Sequence, residues 1–520
     1  MLAKTFGSAV YGVDAHLITI EVSVGQGTRF YMVGLPDSAV KESEQRVDAA
    51  LKHTGYAMPR IKTVVNLAPA DIRKEGSAYD LPIALGILSA SEQMEAPELR
   101  RYMIMGELSL DGLLRPVRGA LPMAIEARKH DFKGIILPRE NATEAAIVNQ
   151  LDVVGVENLQ EAIDFLEGNK EIKPEWHETR DIFYQELEKF DVDFADVQGQ
   201  ESIKRALEIS AAGGHNVIMV GPPGSGKTML ARRLPTILPP LSLQEALETT
   251  KIHSVAGKLT PGSSLIAQRP FCAPHHTISD AALVGGGNIP QPGQISLAHN
   301  GILFLDELPE FKRSVLEVMR QPLEERAVTI SRARGTVKFP ANFMLIASMN
   351  PSPSGEFFDP NANYPDSASA VQRYLSKISG PLLDRIDIHV EVNPVSFDEM
   401  TAERQQESSA SIRERVIGAR EMQRRRFEEL SKSGNLPEQV YSNAMMPSQL
   451  VKNVCRINQA GKTLLKTAME RLNLSSRAYD RILKVSRTIA DLAQSETIEI
   501  EHLAEAIQYR SLDREGWFGN

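Results

Sequence analysis

The run Gly221-Pro222-Pro223-Gly224-Ser225-Gly226-Lys227-Thr228 has the residue types and spacing of a phosphate-binding loop, and Met229 extends the expected nucleotide-binding segment. Glycines are needed there because backbone N–H groups must come close to phosphate oxygens. Lys227 supplies a point cation for the β and γ oxygens, and the Thr228 hydroxyl is an expected ligand for Mg²⁺. An acidic pair, Asp306-Glu307, follows the apolar run Ile302-Leu303-Phe304-Leu305. Asp306 is expected to hold Mg²⁺ and Glu307 to orient a water, because phosphoryl transfer rests on positioning and on neutralising developing charge. The combination predicts hydrolysis of a nucleoside triphosphate, with ATP and Mg²⁺ as cofactors.

Three further polar residues fall where a ring-forming ATPase would need them. Asn350 closes an apolar stretch and could align the water or the γ-phosphate. Arg385, in Gly380-Pro381-Leu382-Leu383-Asp384-Arg385-Ile386-Asp387, could reach a neighbouring subunit's nucleotide and stabilise transition-state charge in trans. A local salt bridge with Asp384 or Asp387 is the alternative. Arg477, with Arg481 and Lys484 one and two helical turns on, opens a basic stripe from which one residue would sense γ-phosphate. Such a stripe is also what a solvated helix face looks like.

Placing these groups requires an open α/β sheet. Buried strands fit residues 216–220, 301–305, 343–347 and 386–392, with helices over 201–211 and from 227 onward. Asp306 and Glu307 then sit at a strand's carboxyl edge, where such sheets bind ligands. Ahead of this core, strand-like alternation covers 9–24 and 29–33, helical spacing covers 38–54, 81–89 and 119–130, and short apolar strands fit 63–67 and 134–137. The expected organisation is an α/β domain over 1–165, a linker over 166–194, the P-loop core over 195–393 and a helical lid over 394–512.

A chain of 520 residues is too long for one core, and its size suggests about three domains. The amino terminus lacks the apolar core of a secretion signal, no apolar run is long enough to cross a bilayer, and the two cysteines, Cys272 and Cys455, lie far apart. A cytoplasmic protein without membrane contact is expected. A net charge of -9 argues against a surface basic all over, though it leaves room for a local basic channel.

The chain resembles AAA+ ATPases of the magnesium-chelatase clade, and within them the bacterial ComM/YifB Mg chelatase-like family. The resemblance runs almost the full length through Gly34-Leu35-Pro36, Val40-Lys41-Glu42-Ser43, Asn66-Leu67-Ala68-Pro69-Ala70-Asp71, Tyr79-Asp80-Leu81-Pro82, Ala273-Pro274-His275-His276, the Gly380 block and residues 475–492. It implies an AAA+ P-loop core, an N-terminal domain like that of Lon-type proteases (ribosomal protein S5 domain 2-like) and a C-terminal helical lid. It also implies Walker A roles for Lys227 and Thr228, Walker B roles for Asp306 and Glu307, sensor 1 at Asn350, an arginine finger at Arg385 and sensor 2 at Arg477. Family members form hexameric rings, and ComM-like proteins drive branch migration of DNA during homologous recombination of incoming strands. The resemblance therefore implies a homo-hexamer acting on single-stranded or branched DNA, with recombination proteins as further partners. A chelatase-like motor for metal insertion and a protein-remodelling ATPase are the competing functions.

DNA contacts are expected in a basic hairpin over 329–338 carrying Arg332, Arg334 and Lys338, with a flexible insertion over 278–294 nearby. Six copies around a channel would focus a positive field. A second basic cluster, Arg413, Arg415, Arg420, Arg424, Arg425 and Arg426, is interspersed with glutamates and fits an ordinary helix equally well.

Two departures from the family pattern carry consequences. Relatives place four cysteines where Ser352, Ser354, Asp366 and Ala368 stand here, so no structural zinc is expected. In the N-terminal domain, Ala78 occupies the position of the Lon-type nucleophilic serine and Leu121 that of its lysine. A methyl and an isobutyl group cannot perform that chemistry, so peptidase activity is not expected.

Overall fold

Alternation of buried and less buried residues along Lys62–Ala68 and much of Leu2–Tyr11 and Asp14–Gly25, with continuous burial in Tyr102–Ile104 and Gly134–Pro138, builds the first sheet. Leu2–Tyr11 pairs antiparallel with Asp14–Gly25, from Leu2 opposite Ser23 to Tyr11 opposite Asp14. The alternation expected as one run over 9–24 is in fact two strands, because Gly12 at φ +67° turns the chain into a two-residue hairpin. Seven strands follow in the order Phe30–Val33, Lys62–Ala68, Asp14–Gly25, Leu2–Tyr11, Tyr102–Ile104, Gly134–Pro138, Asp152–Val156. Helices Ser43–His53, Asp80–Ala90 and Ala120–Lys129 cover this sheet and bury Val47, Leu51, Ile83, Ile87 and Met123. The computed structural model describes residues 1–176, 178, 183, 184, 187, 189–260, 262, 265–287, 290–332, 335–354, 367–395, 406–432, 434, 440–472 and 474–510.

The second sheet is parallel, in the order Phe271–Cys272, Ile302–Leu305, Met344–Met349, Val217–Val220, Ile388–Glu391. Val217–Val220, Ile302–Leu305 and Met344–Met349 are buried at every position, which is why each reads as an unbroken apolar run. The insertion expected to be flexible carries a helix, Asp280–Val284, whose cap Ser279 accepts a hydrogen bond from the Ala282 N–H at 3.2 Å. It also carries a pairing of Gly285–Gly286 with Gln291–Pro292. From 406 to 510 the regular structure among the described residues is helical, apart from an isolated bridge between Ile457 and Ile498.

Helix Leu243–Ala256 lies in the sequence of the ATPase region but packs outward. Leu241, Ala246, Leu265 and Ala267 join the hydrophobic core of the first sheet, and Ser254 donates to the buried Glu144 carboxylate. On the same side Lys251 reaches Asp14 at 2.7 Å, and Tyr11 donates to the Thr336 carbonyl at 3.2 Å. The N-terminal sheet is thereby fastened to the ATPase core through helix Leu243–Ala256 and through the strand carrying Thr336.

The helical region is tied to the parallel sheet through a buried polar network centred on Asp387. Its carboxylate accepts from the Asn216 N–H at 3.1 Å, faces His215 Nδ1 at 3.3 Å and pairs with Arg481 of helix Ser476–Leu492. His215 Nε2 reaches the Thr488 hydroxyl of that helix at 2.8 Å. Burial alone would raise the Asp387 pKa, but Arg481 and His215 hold it far below the ordinary carboxylate range. A depressed carboxylate contributes stability above its unfolded pKa and loses it as pH falls through the acid range. Asp387→Asn is expected to cost about 3 kcal/mol or more at neutral pH, by analogy with other broken buried pairs. In urea titrations the gap from wild type should narrow below about pH 4; a gap independent of pH would contradict this assignment.

Candidate nucleotide-hydrolysis site

The glycine loop leaves strand Val217–Val220 at its carboxyl end and closes into helix Lys227–Arg233. Gly221 cannot carry a side chain, because a Cβ there would lie 2.2 Å from the Val392 carbonyl oxygen, and Gly226 turns the chain into the helix at φ +88°. The loop is held from outside by Gln200, whose side-chain amide donates to the carbonyls of Ser225 at 2.8 Å and Asn393 at 3.3 Å. Lys227, only 8% exposed, donates through Nζ to the carbonyls of Gly221 at 2.7 Å and Pro222 at 2.8 Å, and stands 3.3 Å from Asn350 Oδ1. Burial lowers its pKa, opposed by the nearby charges of Asp306 and Glu307. Met229, in the first turn of the helix, is exposed.

Asp306 and Glu307 follow strand Ile302–Leu305, two places along the sheet from the loop. Asp306 Oδ2 accepts from the Thr228 hydroxyl at 2.8 Å, while Oδ1 accepts from the Ser348 hydroxyl and from the Glu307 N–H at 3.1 Å. Glu307 adopts a left-handed backbone, φ 53° and ψ 52°, unusual for a residue with a side chain and costing about 1–2 kcal/mol. Its half-exposed carboxylate lies 3.5 Å from His276 Nδ1, and His276 in turn stacks against His275 at a ring separation of 4.1 Å. The histidine pair, which has no metal-ligand spacing, thus borders the site through Glu307. Ser348 was not anticipated; its signal was a lone hydroxyl inside the otherwise apolar strand Met344–Met349.

These residues fit a Mg²⁺–nucleoside triphosphate. Thr228 and Asp306 bring two hard oxygen ligands together, Lys227 and the loop N–H groups supply the phosphate cradle, and Glu307 and Asn350 border the cradle's open edge. When bound, Mg²⁺ neutralises charge developing on the transferred phosphoryl group. Ser348 fixes the Asp306 carboxylate, and Glu307 is the group available to orient a water.

Arg385 and Arg477 lie elsewhere. Strands Val217–Val220 and Ile388–Glu391 run parallel, with Val217 opposite Ile388 and Val220 opposite Glu391. The glycine loop follows Val220, whereas Arg385 precedes Ile388, so a strand length of about 13 Å separates the two ends. Arg385 is buried and donates to the Glu324 carboxylate and the Pro381 carbonyl, so its partner is neither Asp384 nor Asp387. Asp384 lies 3.8 Å from Arg477, whose side chain is 60% exposed. Of the four basic residues on this helix, Arg481 is committed to Asp387, Arg487 is buried against Asp491, and Lys484 donates to the Ala444 carbonyl at 3.0 Å, its pKa pushed by burial down to about 8. Arg477 therefore stands beside Arg385 at the sheet's amino-terminal edge.

The basic hairpin pairs Ala327–Arg332 with Gly335–Pro340. Val328, Ile330, Val337 and Phe339 face the core, leaving Thr329, Arg332 and Lys338 exposed. Arg334 lies outside the described residues. The arginines of helix Ser409–Lys432 are engaged within the chain: Arg415 with Glu208 and Glu407, Arg424 and Arg425 with Glu421, Arg426 with Asp491, and Arg413 over the Phe190 ring. Ser352 is buried with its hydroxyl 3.3 Å from that of Ser354, while Asp366 lies outside the described residues. In the first sheet's domain Leu121 is fully buried, Ser77 donates to Glu107, and the buried Lys74 donates to the carbonyls of Pro69 and Ile72. None of these arrangements forms a serine–lysine dyad.

A glycine loop and an Asp–Glu pair at the carboxyl ends of a parallel sheet, joined to a helical lid, define a P-loop ATPase site of the AAA+ kind. The family described as Magnesium chelatase, subunit ChlI, matches residues 193–400, its C-terminal family matches 406–510, and the family described as Subunit ChlI of Mg-chelatase matches 20–141. The chain is 43% identical over 516 residues to competence protein ComM of Haemophilus influenzae, covering 99% of this chain and 98% of that one. It is 44% identical over 509 residues to the uncharacterized protein YifB of Escherichia coli, covering 97% and 96%. A shorter similarity, 33% over 178 residues, links 30% of the chain to 32% of Lon protease 2 of Bacillus subtilis. The chain belongs to the ComM/YifB Mg chelatase-like family.

Two substitutions separate the roles at this site. Glu307→Gln is expected to lower kcat for ATP at least about 100-fold while leaving nucleotide binding nearly intact, the scale of losing a general base. Ser348→Ala is expected to raise the Mg²⁺ concentration for half-maximal hydrolysis about tenfold, because an oriented ligand loses its outer partner. Unchanged Mg²⁺ dependence in Ser348→Ala would remove Ser348 from the site.

Proposed function

We propose that the chain is an ATP-driven DNA motor that works as a homo-hexameric ring in the cytoplasm and promotes branch migration during homologous recombination or natural transformation. The observation that carries the ring is the separation of Arg385 and Arg477 from the glycine loop of their own chain. They lie at the amino-terminal edge of the sheet, a strand length from their own glycine loop, which supports a role toward a second copy's nucleotide. A neighbour's arginine then supplies transition-state charge that Lys227 and Mg²⁺ leave uncompensated. Arg385 must leave Glu324 to do so, which makes that pair a resting contact for the unassembled chain.

DNA as the track is supported by the full-length similarity to a competence protein and by the exposed Arg332 and Lys338 on a hairpin whose other face is anchored in the core. Contacts of this kind hold phosphates without reading bases, which suits a motor that must pass any sequence. In a protein with net charge -9, such cations act locally, concentrated by ring symmetry.

The test is the ATPase rate of the assembled protein with no addition, single-stranded DNA, a four-way junction or an unfolded protein. Stimulation of several-fold is expected, greatest with the junction. The double variant R332A/K338A should weaken junction binding and reduce the slope of log affinity against log salt by about two. A ring that ignores every DNA but responds to unfolded protein would replace this reading with protein remodelling.

A further inference from the structure

A cavity of about 550 Å³ opens at the end of the parallel sheet away from the glycine loop. Its floor is formed by Gly301, Asn342 and Phe343, which precede two central strands, and its walls come from helix Leu243–Ala256 and from Arg420 and Tyr441 of the helical region. It therefore touches the ATPase sheet, the lid and the helix that packs into the N-terminal core.

The charges lining it do not balance locally. Two carboxylates are present: Glu245 lies 3.6 Å from Arg269, and Glu248 lies 3.7 Å from His299 Nε2. Arg326 donates to the Phe343 carbonyl at 2.9 Å, and Arg420 to the carbonyls of Tyr441 and Ala211, both at 3.2 Å. Neither of these guanidiniums forms an ion pair among the described residues, and the Arg420 Nε–H is buried without an acceptor. His299 adds a neutral donor. Its Nδ1 accepts from the Asn342 N–H at 3.0 Å, which leaves the proton on Nε2, and that buried nitrogen faces Glu248 at 3.7 Å, beyond hydrogen-bond length. Burial lowers Arg420 to about 10 and Arg326 below its ordinary value, the mark of cations held away from water. Buried or half-buried charges are ordinarily paired, and unmet buried donors are rare.

We propose that this cavity is a second ligand site, separate from the nucleotide site, for a small phosphate-bearing molecule whose anion lies between Arg326 and Arg420. Guanidinium forks match phosphate oxygens in geometry and charge. The volume exceeds what a lone anion needs and falls in the range of small-molecule sites, so the ligand carries an organic portion as well. Bound there, it would brace the lid against the sheet at the end where Arg385 and Arg477 stand.

The experiment uses the full-length chain with K227A, which removes phosphate binding at the glycine loop, and no added Mg²⁺. Inorganic pyrophosphate and ribose 5-phosphate serve as probes in thermal denaturation. At least one is expected to raise Tm by about 3 °C or more at millimolar concentration. Adding R326Q or R420Q should weaken that response at least about tenfold, with far-UV circular dichroism confirming the fold. Should R420Q fail to fold, R326Q decides alone, because Arg326 caps a single carbonyl. Absence of a response in K227A to both probes, or an equal response in a folded double variant, would overturn the proposal.

Discussion

The polarity of one parallel sheet governs what this chain can do. Every strand of the second sheet points the same way, so loops after the strands and loops before them form two separate faces. The phosphate cradle, Asp306, Glu307 and Asn350 gather on the first face, while Arg385 and Asp387 belong to the second. No rearrangement of side chains within one copy brings the faces together, since a strand length of buried backbone lies between them. In the proposed ring, association of copies completes a site divided in this manner and makes hydrolysis a property of the interface.

The second face is also where the lid is fastened. Asp387 sits two residues from Arg385 and binds His215, Asn216 and Arg481, so the arginine loop, the entry to the P-loop strand and the lid helix share one buried carboxylate. Arg477 extends from that same helix toward Asp384. A change in lid angle would therefore be felt at both arginines. This gives the proposed motor a physical route from hydrolysis at one subunit to motion at the next. The N-terminal sheet is fastened to the core as well, through the buried Glu144–Ser254 contact and the hydrogen bond from Tyr11 to the basic hairpin.

Much of this could be read before any fold was known, and the reasons are local. A phosphate cradle demands contiguous residue types, so Gly221 to Thr228 declare themselves, and strands buried on both faces leave unbroken apolar runs at Ile302–Leu305 and Met344–Met349. What escaped was set by long-range pairing. Ser348 meets Asp306 across 42 residues, and Glu324 meets Arg385 across 61, displacing the sequence neighbours that seemed the natural partners. That Arg481 is held by Asp387 and Lys484 by the Ala444 carbonyl is likewise something no periodicity carries. The hairpin at Gly12 was hidden because alternation continues through a two-residue turn.

The central claim, that each hydrolysis site is shared between two copies, is tested most directly by mixing two inactive variants. K227A retains Arg385 but cannot cradle phosphate, and R385A retains the cradle but lacks the donated arginine. The account predicts that neither variant alone hydrolyses ATP appreciably, and that a mixture recovers a substantial fraction of wild-type activity with a maximum near equal proportions. A mixture no more active than the sum of its parts, or R385A active by itself at the wild-type rate, would contradict it.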